Sequence, residues 1–306
     1  MTRLSGITPS GHAQLGNYLG AIQRWARHTT EQDLYFVSDL HAMTSAHNPA
    51  RLRALTRETL AILLGAGIPD ELVFVQSDLL AEHASLTWIL ECVCSYGEAR
   101  RMAQFKQKSK GQSAVRLSLL TYPVLMVADI LLYGADQVPV GEDQAEHVKL
   151  ARALARRFNS QYGEVFVVPE LQLPPNAASV RDLTKPTRKM AKSTVDSAGV
   201  VYVLDSPDLI RRKIGRAATD PAGIANLLEI LEGCTGQRLE DPADPATLKT
   251  QVAEAVIEEL RGTRKRALEL IDDRAELDRI RARGADRARE RAQSRLAAAR
   301  RMAGLC

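Results

Sequence analysis

Short apolar runs rich in β-branched and aromatic residues alternate with longer segments of helical periodicity over the first half of the chain. A short apolar run is typical of a buried strand, whereas an apolar residue at every third or fourth position is typical of a helix. The predicted strands are 4–7, 34–37, 72–75, 138–140 and 165–168. The predicted helices are 16–28, 49–64, 80–96, 122–133 and 142–158. Strands separated by helices indicate βαβ units and therefore a parallel sheet.

The pattern changes in the second half of the chain, where no convincing strand follows Val203. Apolar residues recur at every fourth position from Leu248 to Leu260, which predicts one buried helical face. Residues 273–302 are rich in arginine and are predicted as one long helix. We therefore predict an α/β domain followed by an all-helical domain. Residues 193–203 fit either domain, so the position of the boundary is open.

The composition is that of an ordinary globular protein. The chain has 306 residues, of which 45% are hydrophobic and 25% charged, and no apolar run approaches the roughly 20 residues of a membrane span. The first residues do not combine a basic stretch with an apolar one, so we expect no secretory signal. The net charge of +4 is too small to indicate nucleic-acid binding by itself. The cysteines form no CxxC pattern, so we expect reduced thiols in a cytoplasmic protein.

A turn of small residues follows the first predicted strand. Residues 6–11 are Gly-Ile-Thr-Pro-Ser-Gly, and Gly16 and Asn17 open the next helix. The free N–H groups and the positive dipole end of a helix N-terminus attract anions, so this turn is a candidate phosphate site. An ordinary βα turn would have the same composition. Because no GxSxG, Walker or GxGxxG sequence occurs here, Ser10 is not predicted to be a nucleophile.

Six short motifs occur in one order between residues 9 and 193. They are Pro-Ser-Gly (9–11) with Leu-Gly-Asn-Tyr-Leu-Gly (15–20), Asp-Leu-His-Ala (39–42), Gln-Phe-Lys-Gln-Lys (104–108), Thr-Tyr-Pro (121–123) leading to Tyr133, Val-Pro-Val-Gly-Glu-Asp-Gln (138–144) and Lys-Met-Ala-Lys-Ser (189–193). In this order and spacing the chain resembles the class I aminoacyl-tRNA synthetases, in their bacterial tryptophanyl form, over nearly its whole length. The resemblance implies a Rossmann-like nucleotide-binding and catalytic domain over 1–192. It also implies a helical tRNA (anticodon)-binding domain over 193–306, with the last helix able to pack back on the first domain.

The resemblance also implies a reaction. Members of the family join tryptophan to ATP with loss of pyrophosphate, and then pass the tryptophan to its tRNA. The substrate carboxylate is itself the nucleophile, so the enzyme positions the reactants and stabilises the leaving charge. The implied ligands and partners are ATP, Mg²⁺ that accompanies ATP, L-tryptophan, tRNA(Trp) and a second copy of the chain. Neither an iron–sulfur cluster nor a membrane is expected.

The implied contacts to ATP come from the two signature motifs and from the turn before the fifth predicted helix. The ATP-binding residues implied are Thr8, Pro9, Ser10, Gly16, Asn17, Gly141, Glu142, Asp143, Val180, Lys189, Met190, Ala191, Lys192 and Ser193. The catalytic residues implied are Lys108, Lys189 and Lys192, whose charges would meet the phosphates, and Gln14, which would donate to a phosphate. A solvated basic loop is the alternative for the lysines of the second signature.

The implied tryptophan site lies on the predicted helix 122–133. Tyr122, Met126 and Asp129 are spaced by four and three residues and therefore share one helical face. Asp129 stands among apolar residues, where a carboxylate is costly unless it is paired or ligand-bound, and an indole N–H is a donor that suits it. The family adds Gln144 beside the α-ammonium, and His41 and Leu4 in the pocket wall. A core helix with an internally satisfied aspartate is the alternative.

Four positions depart from the family pattern. Leu4 stands where relatives commonly have phenylalanine, Thr8 where they usually have glutamine, and Gln14 where they have histidine or threonine. Ala191 replaces a serine in the second signature, although both lysines of that motif are kept. We expect an active but atypical site.

The predicted last helix carries ten arginines and four acidic residues between residues 274 and 301, and is thus positive by six. Arginine suits phosphate groups, so tRNA is one explanation and a solvated helix is the other.

Two further functions stay open on the sequence alone. A tyrosyl synthetase shares this scaffold, but such enzymes usually carry glutamine where Met126 stands. A non-catalytic RNA-binding or regulatory paralogue is the other alternative, and the retained lysines and Asp129 argue against it.

Overall fold

Five short parallel strands and thirteen helices form the described part of the chain, which comprises residues 1–111, 113–139, 141, 144–172, 180–190, 197–239 and 244–305 of a computed structural model. The strands are β1 (Leu4–Ile7), β2 (Leu34–Val37), β3 (Val73–Val75), β4 (Gln137–Pro139) and β5 (Glu170–Gln172). The helices are α1 (Leu15–Asn17), α2 (Gln23–His28), α3 (Asp39–Ala42), α4 (Pro49–Gly65), α5 (Leu80–Glu91), α6 (Tyr96–Arg101), α7 (Ala103–Ser109), α8 (Leu117–Leu132), α9 (Ala145–Tyr162), α10 (Pro207–Gly215), α11 (Pro221–Thr235), α12 (Pro245–Asp272) and α13 (Arg274–Met302). A π-helical stretch (Tyr18–Ile22) joins α1 to α2, and 3-10 turns occupy Asp70–Leu72, Gln76–Leu79 and Ser197–Gly199. None of these helices is both long enough and apolar enough to cross a bilayer.

The strands are arranged as in a Rossmann fold. β1 pairs with β2 and β2 with β3, while β4 pairs with β5, all in parallel. A parallel bridge between Arg3 and Gln137 places β4 beside β1. The resulting order β3-β2-β1-β4-β5 reverses direction between β1 and β4, and ligands of such sheets bind at the carboxyl ends of the strands at that point. The predicted fold class is therefore confirmed, and the fold points to this crevice as the site.

Most predicted elements occur where the hydrophobic pattern placed them. β2 covers the predicted residues 34–37, and α4 extends the predicted helix by one residue. The helix predicted over 16–28 forms as α1, the π-helical stretch and α2 in succession. α8 begins at Leu117, five residues before the predicted start, and the described part of the fifth helix, α9, begins at Ala145.

The strand predicted over 165–168 is wrong. These residues carry no strand, and β5 lies further on at Glu170–Gln172. The side chain of Asn159 takes the backbone groups that a strand would have paired: its Oδ1 accepts from the N–H groups of Val165 and Phe166, and its Nδ2 donates to the carbonyl of Phe166. Phe166 is nevertheless buried against Phe158, with ring centroids 4.8 Å apart. The apolar run thus predicted the burial of Phe166 correctly, but Val167 is 40% exposed and no strand forms.

The helix predicted over 80–96 is interrupted. α5 ends at Glu91, and a new helix, α6, begins at Tyr96. Ser95 and Glu98 form a reciprocal capping box at this start, each side chain bonding to the other residue's backbone N–H. The capping box explains why the chain restarts a helix here instead of continuing α5.

The second half of the described chain is helical and packs against the first. The face Leu248–Leu260 of α12 is buried, as its four-residue spacing predicts, and α12 packs against α4. Of the segment that fits either domain by sequence, the end at 201–203 lies on the first-signature turn, because Leu15 donates to the carbonyl of Val201 and Val203 donates to that of Ala13. The exact domain boundary stays a prediction.

The last helix, α13, runs back across the edge of the sheet and contacts β3, α5 and the turn Asp70–Leu72. Its alanines at 285, 288, 292 and 299 are buried in the core beside β3. Gly284 lies so close to β3 that a Cβ added there would overlap the carbonyl oxygen of Val73. Small side chains on one face therefore allow the helix to approach the strand backbone.

Adding one methyl group at Gly284 should destabilise the protein. We expect Gly284→Ala to lower the free energy of unfolding by about 1–3 kcal/mol, because the helix must move away from β3. Gly262→Ala is the matched control, since a Cβ at that exposed position of α12 meets no atom within 4 Å. Alanine favours a helix over glycine, so the control should gain roughly 0.5–1 kcal/mol. Urea unfolding checks both, and equal effects at the two sites would contradict the close approach.

Candidate active site

A crevice of about 1480 Å³ opens at the carboxyl ends of β1 and β4, where the strand order reverses. It brings together the first and last of the six motifs, Pro9 and Lys189 among their residues, although they lie far apart in the chain. The predicted residues that line it are Leu4, Thr8, Pro9, Ser10, Gln14, Gly16, Asn17, His41, Lys108, Tyr122, Met126, Asp129, Gly141, Gln144, Val180 and Lys189. Met190 is buried next to this wall. Glu142, Asp143, Ala191, Lys192 and Ser193 lie outside the described residues.

Asp129 is buried, with 1% of its surface exposed, and its carboxylate has three close partners. Its Oδ2 lies 2.7 Å from Nε2 of His41, and its Oδ1 accepts a hydrogen bond of 2.7 Å from Nε2 of Gln76. Nδ1 of His83 lies 2.8 Å from the same Oδ1. Asp129 is thus satisfied by protein groups, which is the alternative that the sequence left open, and it also lines the crevice. Its contact with an indole N–H stays a prediction.

The carboxyl of Asp129 is ionised at neutral pH. Burial by itself would raise its pKa, but the nearby His41, through its charge and hydrogen bond, and then His83 outweigh burial and bring the pKa to about 2. The apolar wall of the crevice thus holds one fixed negative charge.

Two partners of Asp129 were not found by sequence reasoning. Gln76 directly follows β3, and a polar residue at the carboxyl end of a parallel strand is a signal that could have identified it. His83 lies within α5, where nothing in the local sequence distinguishes it from a core histidine. Phe36 of β2 also lines the crevice, and its ring stacks on Phe74 with centroids 5.4 Å apart. An aromatic wall is therefore present although position 4 is leucine.

Tyr122, in the first half of α8, has two polar side chains at its hydroxyl. Its hydroxyl donates to Oε1 of Gln104 at 2.8 Å, and Nε2 of His147 lies 3.0 Å from the same oxygen. Nζ of Lys108 lies 5.8 Å from the centre of the Tyr122 ring, within the range of a cation–π contact. The motif at 104–108 and the helix α8 thus meet on one side of the crevice.

The first signature is joined to the second through Gln14. This side chain is 3% exposed and caps α1, where its Oε1 accepts from the N–H of Gly16. Its Nε2 donates to the carbonyl of Met190 at 2.9 Å. One N–H of the amide is used in this way and one is left, so donation by Gln14 to a phosphate stays a prediction.

Backbone pairing fixes the start of the second signature. Met190 donates to the carbonyl of Val180 at 3.1 Å, and Arg181 and Lys189 form an antiparallel bridge. A Cβ at Gly16 would lie 3.2 Å from Cβ of Val180 and 2.8 Å from Oε1 of Gln14. Glycine at position 16 therefore lets the first signature pack against this pair, and Lys189 reaches the crevice beside it.

Many arginines of α13 bond to protein groups outside the helix. Arg281 makes two hydrogen bonds of 2.7 Å to the carboxylate of Asp78, and Arg289 contacts Glu82 and the carbonyl of Asp78. Half of the ten arginines bond to groups of the first half of the chain in this way: Arg281, Arg283, Arg289, Arg291 and Arg295. Neither alternative given by the sequence, tRNA phosphates or solvent, describes these five arginines, because their partners are protein groups of the first half of the chain.

The described residues contain no group of three or more His, Cys, Asp or Glu side chains placed to hold a metal ion.

The crevice, the strand order and the two signatures place the chain among the class I tRNA synthetases: it belongs to the family described as tRNA synthetases class I (W and Y), whose model matches residues 1–271. The chain is 49% identical to tryptophan–tRNA ligase 1 of Streptomyces coelicolor, with coverage of 100% of this chain and 98% of that protein. The family resemblance seen in the motifs is thereby confirmed.

Two solved structures share this architecture. The tryptophanyl-tRNA synthetase of Mycoplasma pneumoniae superposes with a TM-score of 0.88 at 30% identity, over 100% of this chain and 98% of that one. The tryptophanyl-tRNA synthetase of Campylobacter jejuni, in complex with ADP and tryptophan, has a TM-score of 0.86 at 29% identity, over 100% of both chains.

Proposed function

We propose that the protein is a tryptophan–tRNA ligase, which activates L-tryptophan with ATP and transfers it to tRNA(Trp). The observation that carries the proposal is one crevice with an ionised carboxylate, Asp129, in its apolar wall and the lysines Lys108 and Lys189 on its rim. The similar structure from Campylobacter jejuni was solved in complex with ADP and tryptophan, which supports a nucleotide and tryptophan as ligands of this chain.

The apolar end of the crevice suits an indole ring. Met126 offers a polarizable thioether, and Phe36 adds an aromatic wall. The indole N–H is a donor without acceptor capacity, so the carboxylate of Asp129 is its fitting partner. Tyr122 and Gln144 also line the crevice, and they would contact the α-ammonium group of tryptophan. His41 lines the crevice beside Asp129.

The other end of the crevice suits a triphosphate. In the first step a carboxylate oxygen of tryptophan attacks the α-phosphorus of ATP, and pyrophosphate leaves as the new acyl–phosphate bond forms. Lys108 and Lys189 would stabilise the charge that develops on the leaving group, together with Lys192. Mg²⁺ that accompanies ATP as part of the substrate would neutralise part of the phosphate charge. In the second step a terminal ribose hydroxyl of the tRNA displaces AMP.

Tyrosine is the competing substrate. Met126 cannot accept or donate a strong hydrogen bond, so it does not provide a site for a phenol hydroxyl. A non-catalytic paralogue is the other candidate, and the gathering of Lys108, Lys189 and Asp129 around one crevice argues against it.

Amino-acid-dependent exchange between ATP and pyrophosphate tests the proposal. Exchange that requires tryptophan would support it. Exchange with tyrosine alone would make the protein a tyrosyl synthetase, and no exchange with any amino acid would favour the paralogue. Charging of tRNA(Trp) then tests the second step. With ATP and tRNA as substrates, and with free thiols at Cys92, Cys94 and Cys234, the proposed place of action is the cytoplasm.

The proposed active form is a homodimer. Three large apolar side chains are exposed along α5 and at the start of α6: Leu80, Trp88 and Tyr96, which are 53%, 66% and 67% accessible. Leu80 and Trp88 are eight residues apart on α5 and so share one helical side. A surface of this kind is typical of a protein–protein interface.

Placing a charge on this surface should separate the subunits. We expect Trp88→Asp to raise the dissociation constant of the dimer by about 30-fold or more, because aromatic residues are frequent hot spots worth about 2 kcal/mol. Leu268→Asp, at a partly exposed leucine of α12, is the control and should leave the dimer intact. Sedimentation equilibrium measures both, and a dimer that tolerates Trp88→Asp would remove this surface from consideration.

A further inference from the structure

The carboxylate of Asp129 is hydrogen-bonded, on the side away from the crevice, to Gln76, which does not line the crevice. Gln76 is fully buried, and its Nε2 donates to Oδ1 of Asp129 at 2.7 Å. At its other end, Oε1 of Gln76 accepts from the backbone N–H of Leu40 at 3.2 Å. One amide thus connects α8 to α3.

The partners of Asp129 differ between its two oxygens. Oδ1 faces Gln76 and His83, which are both fully buried and outside the crevice lining. Oδ2 faces His41, which lines the crevice as Asp129 does. A carboxylate oxygen has about two acceptor positions, so Oδ2 keeps one for a ligand after it has bonded to His41.

We propose that Gln76 is a positioning residue for amino-acid choice: it fixes the carboxylate of Asp129 so that Oδ2, and not Oδ1, meets the ring N–H of tryptophan. This inference rests on the proposed function and deepens it.

Gln76 also fixes the second group at Oδ2. Leu40, which donates to Gln76, is the neighbour of His41 in α3. Ser77, next to Gln76, donates its backbone N–H and its hydroxyl to Asp39 at 3.0 and 2.6 Å. The dipeptide 76–77 therefore anchors the start of α3, and with it the histidine that shares Oδ2 with the ligand.

The chemistry of the side chain at position 76 is restricted. An amide donates at one end and accepts at the other, which both contacts of Gln76 require. Glutamate would place a second negative charge against Asp129, and methionine of similar length would neither donate nor accept a strong hydrogen bond. Position 76 thus needs an amide of this length.

His83 has a different role from Gln76. Its Nδ1 lies 2.8 Å from Oδ1 of Asp129, but the pair does not meet hydrogen-bond geometry, and its Nε2 lies 2.9 Å from the hydroxyl of Tyr133. The His83 ring also stacks on Phe74 at 6.4 Å. His83 therefore supplies packing and electrostatic support, while the direction of the carboxylate comes from Gln76.

A substrate that lacks the ring N–H tests the proposal. β-(Benzothiophen-3-yl)alanine has the shape of tryptophan with sulfur in place of the N–H group, so the ratio of kcat/KM for tryptophan to that for the analogue measures the hydrogen bond to Asp129. We expect Gln76→Met to lower this ratio about tenfold or more, mainly through a higher KM for tryptophan, with the KM for ATP unchanged. Gln76→Glu should lower the ratio further. All rates come from ATP–pyrophosphate exchange.

Gln23→Met is the matched control. Gln23 is also a buried glutamine, and its amide donates to Glu259 and to the carbonyl of Gly233, away from the crevice lining. It should leave the substrate ratio unchanged even where it lowers stability. If Gln76→Met does not fold, the same substrate ratio is measured with Gln76→Asn. Asparagine keeps the amide but is one methylene too short to reach both partners, so the ratio should again fall.

The outcomes separate this inference from the proposed function. An equal loss with both substrates in the Gln76 variants would make Gln76 merely structural and would overturn the inference, while the ligase activity would stand. A native enzyme that does not prefer tryptophan to the analogue would overturn the hydrogen bond to Asp129 itself. Native protein without any exchange would overturn the proposed function and this inference with it.

Discussion

Lys189→Ala is expected to slow formation of the tryptophanyl adenylate by about 10²- to 10³-fold, the usual cost of removing one group that stabilises charge in a transition state. Lys189 lines the crevice, and contacts of the backbone fix its position. Lys189 forms an antiparallel bridge with Arg181, and the next residue, Met190, is hydrogen-bonded to Val180 and Gln14. In the proposed mechanism the charge of Lys189 acts as pyrophosphate leaves, so the KM for tryptophan should change little. Single-turnover measurement of adenylate formation checks the rate.

Lys185→Ala is the matched control for Lys189. Lys185 lies four residues earlier in the same segment, is exposed, and is not part of the crevice lining. The control loses the same charge, so a general electrostatic effect would slow both variants equally. An unaltered activation rate in Lys189→Ala would contradict its proposed role. Lys192, the other lysine of the signature, lies outside the described residues, and its role stays a prediction.

Asp129→Ala is expected to lower kcat/KM for tryptophan by about 10- to 100-fold, since a hydrogen bond to a charged group contributes roughly 1.5–3 kcal/mol. The KM for ATP should be spared, because Asp129 lies in the apolar wall and not beside the lysines. The pKa of Asp129 is lowered to about 2, so the carboxylate is ionised from about pH 6 to 9 and the size of the loss should not vary with pH there. Steady-state exchange kinetics at several pH values measure both effects.

Loss of Asp129 also removes a partner from His41 and Gln76, which should cost about 1–3 kcal/mol of stability. Asp205→Ala separates this cost from the effect on the substrate. Asp205 is buried too and pairs with Lys213 at 2.6 Å, away from the crevice lining. It should destabilise the protein and leave the preference for tryptophan intact. Unchanged tryptophan kinetics in Asp129→Ala would show that Asp129 is only structural.

Hydrophobic periodicity predicted the sheet and the helical second half because each element buries one side. It gave β2 and α4 almost to the residue. It failed at 165–168, because the pattern reports that Phe166 is buried but not that the Asn159 side chain takes the backbone groups that a strand would pair. The burial of a side chain and the pairing of a strand are different properties, and a hydropathy pattern indicates only the first.

The motifs predicted which residues share the crevice but not how they are held. Asp129 was identified by its charge in an apolar helix, whereas Gln76 and His83 come from other elements, and only the fold brings them to Asp129. The arginines of α13 show the same limit. Their spacing could not reveal that Arg281, Arg283 and Arg289 pair with carboxylates of the first half of the chain.

The close fit of α13 on β3 has a consequence for shortened forms of the chain. Among the described strands, β3 pairs only with β2, so its other side would carry bare N–H and C=O groups if nothing lay over it. Gly284 and the alanines around it seal that side. A fragment that ends before Gly284 would expose the edge of β3, which can then pair with strands of other molecules. We expect such a fragment to aggregate, so its solubility would be lost before its activity could be measured.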